Sequence, residues 1–402
     1  MQPDDLRQSA TEYARGEVAR GLMTCGMIVS GVAEYLHGQG DVADLYSLAW
    51  EIVPRELAAH LDAQAGWPAR TDSDRLTDAF RALDLAGIVA REDFACCQSC
   101  GNSEIGDEAG TGEPARGYVF YHGQDAERAA QGGTLWLAYG SFDKKIGEAQ
   151  IGDEVVAALR GEGLEVDWTG DPLERVHVRL RWAKRRHGRM AAFPVSAELG
   201  RTAEVRFAPD RNMVFPPMSL GALAALELPW LPDDTSVRVD DGERTVTIRR
   251  ERHRLISDDG REAGRFEGLR LLDSEDEGAE DEGAEDEGAV PSETGLIEVT
   301  YQCMPTGPQQ VAGQPMSLPE ILAVVRRLPT RTNSWLAAVH DAGIVQMRWE
   351  DGRLWLESPL VTESASVGKY ASLDDAERVL TILATENRNA IRELDGVTTK
   401  AW

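Results

Sequence analysis

Cys96, Cys97 and Cys100 lie in "FACCQSCG", residues 94–101, so that three of the chain's five cysteines fall within five positions. Two thiolates separated by two residues reach one metal ion, as in a zinc knuckle, and a following glycine, here Gly101, lets the backbone turn its amides toward sulfur. Tetrahedral zinc needs more ligands than this, and the chain holds no second C-x-x-C. Cys96 is the next ligand only if the strand has already broken, because neighbours in an extended strand point to opposite faces. His122, which ends "GYVFYH", is the best fourth candidate if the two strands pair, and Glu104 is the weaker one.

The same residues admit other readings. A redox dithiol requires C-x-x-C at a helix N-terminus, where the dipole lowers the first thiol's pKa. The glycine-rich "GNSEIGDEAGTGEP" that follows Cys100 leaves room for about one helical turn, which disfavours that chemistry. A cysteine can also be plain core. His122 and Asp125 offer an acid–base pair that would serve a thiol- or metal-dependent enzyme using Cys97 or Cys100. The commoner role of such a pair is to order a strand-to-helix turn.

The elements that must position these residues are mixed α and β. "TDSDRLTDAFRALDLAG" predicts a helix opened by Thr71 with Asp74 three residues on, stopped at Gly87, with Leu76, Ala79, Phe80 and Leu83 on one face. Strands are expected at 88–95, 117–122 and 134–140, with a short helix between the last two. A helix over 152–161 leads to a hairpin whose return strand alternates Val176, Val178, Leu180 and Trp182, which turns His177 to solvent.

At 402 residues and 42% hydrophobic, the chain is long enough for two to three domains. The uncharged apolar run 21–33 is too short to cross a membrane, and the acidic opening lacks the basic start of a secretory signal, so a cytoplasmic location with reduced thiols is expected. The net charge of −27 disfavours nucleic acid and anionic membranes and favours a basic or neutral protein partner or a small molecule. "EDEGAEDEGAEDEGA", 275–289, repeats one acidic unit three times and reads as a self-repelling disordered spacer. The basic stretch 179–189, with Lys184, Arg185 and Arg186, is expected to attract it.

Beyond residue 190 a diverged repeat is visible. "EVRF" (204–207), "PMSL" (217–220) and "DDGERTVTI" (240–248) recur in order as "EVTY" (298–301), "PMSL" (315–318) and "EDGRLWLE" (350–357). Each copy predicts a strand, a helix opened by the serine of PMSL and a hairpin turned at Asp-Gly. A closing helix follows only the second, opened by Ser372 with Asp375.

"WPARTDSDRLTDAFRALDLAGIVAREDFACCQSCGNSEIGDE", "GYVFYHGQDAERAAQGG", "LWLAYGSF", "IGDEVVAALRGEGLEVDW" and "RVHVRLRW" together resemble an uncharacterised bacterial domain family of unknown function, over roughly residues 5–190. The resemblance implies that Cys96, Cys97, Cys100, Glu104, Tyr121, His122, Gln124 and Asp125 belong to that family's own motif, and it carries no activity. The region after 290 resembles, more loosely, small α+β immunity proteins of bacterial toxin systems. The expectation is therefore a multi-domain α+β chain: an N-terminal domain (1–190), a small module (198–272), an acidic linker (273–292) and a C-terminal module (293–402). Its expected role is non-enzymatic binding or regulation with a structural cluster able to take zinc. The alternatives are the thiol- or metal-dependent enzyme and an immunity or antitoxin protein with a basic partner.

Overall fold

A computed structural model describes residues 3–109, 115–194, 202–208, 216–232, 235–251, 254–272, 296–302, 311–330, 334–350 and 352–401. The acidic repeat and Cys303 lie outside the described residues. The architecture is mixed α+β with three sheets.

Three helices come first, α1 (Pro3–Arg20), α2 (Cys25–Tyr35) and α3 (Val42–Ala65), and they pack against one another. Thr24 and Asp41 cap the second and third by accepting from the amides of Met27 and Ala43. Next come α4 (Asp72–Leu85), β1 (Ile88–Arg91), α5 (Gln98–Glu104), β2 (Gly117–Phe120), α6 (Gly123–Ala130), β3 (Leu135–Ser141), α7 (Glu148–Gly161), β4 (Glu165–Asp167) and β5 (Val176–Arg179). The strands form one sheet in the order β1-β2-β3-β5-β4, with β1 and β2 parallel and the other pairs antiparallel. Strand alternation gives this sheet two apolar faces. Ile88, Val119 and Leu137 join Leu76, Phe80, Val155 and Leu159 of α4 and α7, whereas Val89, Phe120 and Ala138 form a small separate core with Phe94 and Ile105. α4 carries the expected capping box, Thr71 with Asp74.

The third segment holds β6 (Glu204–Ala208), α8 (Leu220–Leu226), β7 (Ser236–Asp240), β8 (Thr245–Glu251), β9 (Arg254–Ser257), β10 (Glu262–Gly264) and α9 (Leu269–Leu272), an antiparallel meander ordered β10-β9-β8-β7-β6. The last holds β11 (Ile297–Gln302), β12 (Val311–Met316), α10 (Leu318–Arg327), β13 (Trp335–His340), β14 (Gly343–Glu350), β15 (Arg353–Leu360), β16 (Ala365–Ala371), α11 (Leu373–Glu386) and β17 (Thr398–Ala401), an antiparallel sheet ordered β12-β11-β13-β14-β15-β16-β17. Both segments place a helix opened by the PMSL serine before the meander: Ser219 accepts from the Ala222 amide, and Ser317 forms a capping box with Glu320. Their Asp-Gly turns are not equivalent, however. The turn at Gly242 joins the first two strands after the helix, whereas Gly352 joins the second and third, and the position matching Gly242 is Gly343. Both glycines have positive φ, so either hairpin satisfies a sequence search, and only pairing order separates them.

Two compact units emerge, 1–66 with 185–294 and 67–184 with 295–402. In the first, α1–α3 share a core with the meander and α8, and the Trp50 indole donates to the carbonyl of Pro217 at 2.7 Å. In the second, α4 holds the C-terminal module. Arg81 donates to the carbonyls of Val325, Arg326 and Leu328 at the end of α10. Buried Asp84 accepts from the Thr330 amide (2.9 Å) and hydroxyl (2.6 Å) and pairs with Arg91 (2.8 Å), which in turn pairs with Glu108 (2.7 Å). Burial alone would raise the Asp84 carboxyl; the charge of Arg91 and the Thr330 donors outweigh it and hold the group below its ordinary range.

Candidate metal centre

The cysteine cluster forms because β1 stops early. Its strand was expected to run to Ala95, but Asp93 and Ala95 adopt left-handed backbone, with φ of 48° and 59°. For residues with a Cβ that conformation costs on the order of 1–2 kcal/mol each. The segment is held there by Phe94, which is buried and donates its amide to Tyr121 at 2.8 Å, and by Ala95, which accepts from the Gly123 amide at 3.1 Å. Past the second kink Cys96 is exposed and Cys97 occupies the N-cap of α5. The condition for Cys96 and Cys97 to share a ligand, a strand already broken, is therefore met.

All three sulfurs lie within 4.8 Å of one another, and Cys96 Sγ is 3.5 Å from Cys100 Sγ. Zinc–sulfur bonds of about 2.3 Å in a tetrahedral site put sulfurs roughly 3.7 Å apart, so the three thiols already lie near the spacing one ion requires. Gly101 has a different role from the one its place in the motif suggests. It is helical, and a Cβ there would come within 2.4 Å of the Phe120 ring, so its absence of side chain lets α5 lie against the sheet.

The C-x-x-C does open a helix, in contrast to the expectation from the glycines behind it. α5 runs for seven residues and continues as a 3-10 turn through Ala109. The Cys97 thiol is pulled below its ordinary pKa, first by the Cys100 amide and then by the neighbouring thiols. Cys100 is pushed up to about 12, chiefly by hydrogen bonding with Cys96 and then Cys97, because negative charge already placed beside it disfavours more. Cys25 is fully buried and also pushed up to about 12.

Neither His122 nor Glu104 joins the group of converging thiols. His122 lies beside the cluster along the backbone, but it serves as N-cap of α6: Nδ1 accepts from the Asp125 amide at 3.3 Å, and Nε2 faces Asp125 Oδ2 at 2.9 Å. Burial lowers its pKa, consistent with a neutral ring donating through Nε2. Asp125, fully buried, also accepts from Arg128 and Arg175. The pair thus orders a strand-to-helix turn. Glu104 ends α5 and is exposed. His177, expected in solvent, stacks on Trp136 at 4.8 Å. Nor is the basic stretch free: Arg186 is buried, donating to the carbonyls of Val18, Met23 and Met190, while Arg189 pairs with Glu227 and Arg179 with Glu165.

The kinked strand, the three thiols and the His122–Asp125 turn all lie in one stretch that a family model matches. Residues 3–186 are similar to DUF6891, a domain of unknown function. The DUF6891 match ends before the meander and the C-terminal module, so those segments lie outside it. No curated protein and no solved structure matches the chain. No helix among the described residues is long and apolar enough to cross a membrane.

Proposed function

We propose that this chain is a non-enzymatic binding protein whose DUF6891-like domain takes up a soft metal ion, zinc by preference, through Cys96, Cys97 and Cys100. The convergence of the three thiols at an exposed, kinked strand end is the observation that supports it. Bound there, a divalent ion would replace the thiol protons, and Cys97, whose proton is held less tightly than in an ordinary thiol, is suited to lead. The affinity should rise with pH, because the Cys100 thiol is pushed well above its ordinary pKa and must lose its proton to bind. The protein supplies three thiolates and leaves the remaining position to water or to a donor from a partner. The net charge of −27 favours a basic or neutral protein for that partner, captured less tightly as salt rises.

The test is elemental analysis of protein purified without a metal-affinity tag, with thiol mapping by alkylation and mass spectrometry before and after a chelator. The reading expects about one zinc per chain and Cys96, Cys97 and Cys100 protected until chelation. Metal-free protein in which all three alkylate freely, before and after added zinc, would sink it. A second reading rests on the lowered pKa of Cys97 at its helix N-cap: a reactive thiol that attacks a disulfide substrate, forms a mixed disulfide, and expels the other half as thiolate. It predicts that in metal-free protein Cys97 alkylates well ahead of Cys96 and Cys100.

A further inference from the structure

The outer face of the C-terminal sheet, outside the DUF6891 match, carries a second constructed site. Pairing sets Trp335 opposite Arg348 and Arg348 opposite Trp355, so an indole, a guanidinium and an indole lie in one row across β13, β14 and β15. The adjacent row pairs Gln346 with Glu357 and Glu357 with Gly368. Trp335, Gln346, Arg348, Trp355 and Glu357 line a cavity of about 160 Å³.

Glu357 is buried on what would otherwise be a solvent-facing row. Its Oε2 accepts from Trp355 Nε1 and Ser366 Oγ, both at 2.7 Å, and its Oε1 accepts from Gln346 at 2.6 Å and Arg348 at 3.2 Å. Both oxygens are thus committed, and the carboxylate acts as a peg that fixes the side chains around it. Gly368 makes room for the peg, since a Cβ there would lie 2.6 Å from Glu357 Cβ and 2.5 Å from the Leu356 carbonyl.

What remains uncommitted is positive. Arg348 spends Nε on Glu350 and Nη1 on Glu357, while Nη2 has no partner among the described residues. Lys400 sits 3.5 Å from the Trp355 ring centroid and Arg353 3.5 Å from that of Tyr370, and neither has an ion pair among the described residues. Arg348 thus lines the cavity beside Glu357, and Lys400 lies over the ring of Trp355, one of its walls, in a chain whose overall charge is −27. Cavities of roughly 150 Å³ are large enough for one benzene ring. We infer that this cavity binds a small organic anion with a single flat ring, an aryl carboxylate, its ring against Trp335 and its carboxylate on Arg348 and Lys400. Aromatic walls give the ring its area, and a guanidinium gives the carboxylate a charge-assisted donor.

The experiment is calorimetric titration of the full chain with benzoate, with benzamide as a neutral probe of the same shape and acetate as an anion without the ring. Benzoate is expected to bind at least about tenfold more tightly than either. R348Q and K400Q should each weaken benzoate roughly fivefold or more and leave benzamide unchanged. Lys400 lies on an exposed edge strand, so K400Q reads the carboxylate contact even if R348Q fails to fold. Equal affinity for benzoate and benzamide, equal affinity for benzoate and acetate, no binding, or wild-type benzoate affinity in folded K400Q would each overturn the inference.

Discussion

The thiol cluster and the C-terminal sheet site solve opposite problems. The first assembles adjacent residues on a strand end that has been kinked out of its sheet, and its groups are exposed and lightly held. The second assembles residues from five strands on regular backbone and secures them with a buried carboxylate. A local site can be lost without harm to the fold, whereas a site pegged across strands is part of what holds its module together.

The sharpest way to break that contrast is to remove each centre in turn and measure unfolding. Glu357→Ala leaves Trp355, Ser366, Gln346 and Arg348 without their acceptor, and should destabilise the C-terminal module by about 3 kcal/mol in denaturant melts. Cys97→Ser or Cys100→Ser in metal-free protein should stay within about 0.5 kcal/mol of wild type, while zinc affinity by competition drops roughly a hundredfold. Equal losses of stability at the two sites would erase the distinction.

Gly368→Ala is the next largest effect, about 1–3 kcal/mol, because the obstructing atoms are the Leu356 carbonyl and the Glu357 stem rather than a flexible tip. Acidification gives a third. Burial would raise the Glu357 carboxyl, but the donors from Trp355, Ser366 and Gln346 outweigh it and hold it below its ordinary value. The folded state therefore binds this proton less readily than the unfolded one, and the stabilisation is full above the ordinary carboxylate range and is lost as pH falls through the lowered pKa. Glu357→Gln should flatten the acid side of the stability profile. Ser372→Ala removes the cap on α11 and should cost about 1 kcal/mol in thermal melts.

The local site was legible in the sequence and the pegged one was not, for the same physical reason. Thiols three apart announce themselves, and so do capping boxes such as Thr71 with Asp74, Ser317 with Glu320 and Ser372 with Asp375, because each is a contact between near neighbours. Alternation along β15 puts Trp355 and Glu357 on one face, but nothing in the sequence says which residues of β14 and β16 stand opposite, since register is a tertiary choice. The same limit moved the hairpin correspondence of the two meanders by one strand. The turn that His122 and Asp125 order could be anticipated from their spacing; that Arg175 reaches the same buried carboxylate could not, because it lies 50 residues further along the chain. Helices α2 and α3 did leave a signal, the capping residues Thr24 and Asp41, though Pro54 within α3 obscures its length.

The hydrogen bond from Trp50 to Pro217 spans 167 residues of chain. A ribosome adding about 5–20 residues per second needs on the order of ten seconds or more to make that distance. Through that interval α1–α3 exist without the meander that completes their core, and the thiol-bearing sheet is made while they wait. Birth of this molecule is thus a matter of holding an apolar face in suspense, and whatever shields those helices during synthesis governs the yield of folded protein as much as any contact in the finished fold.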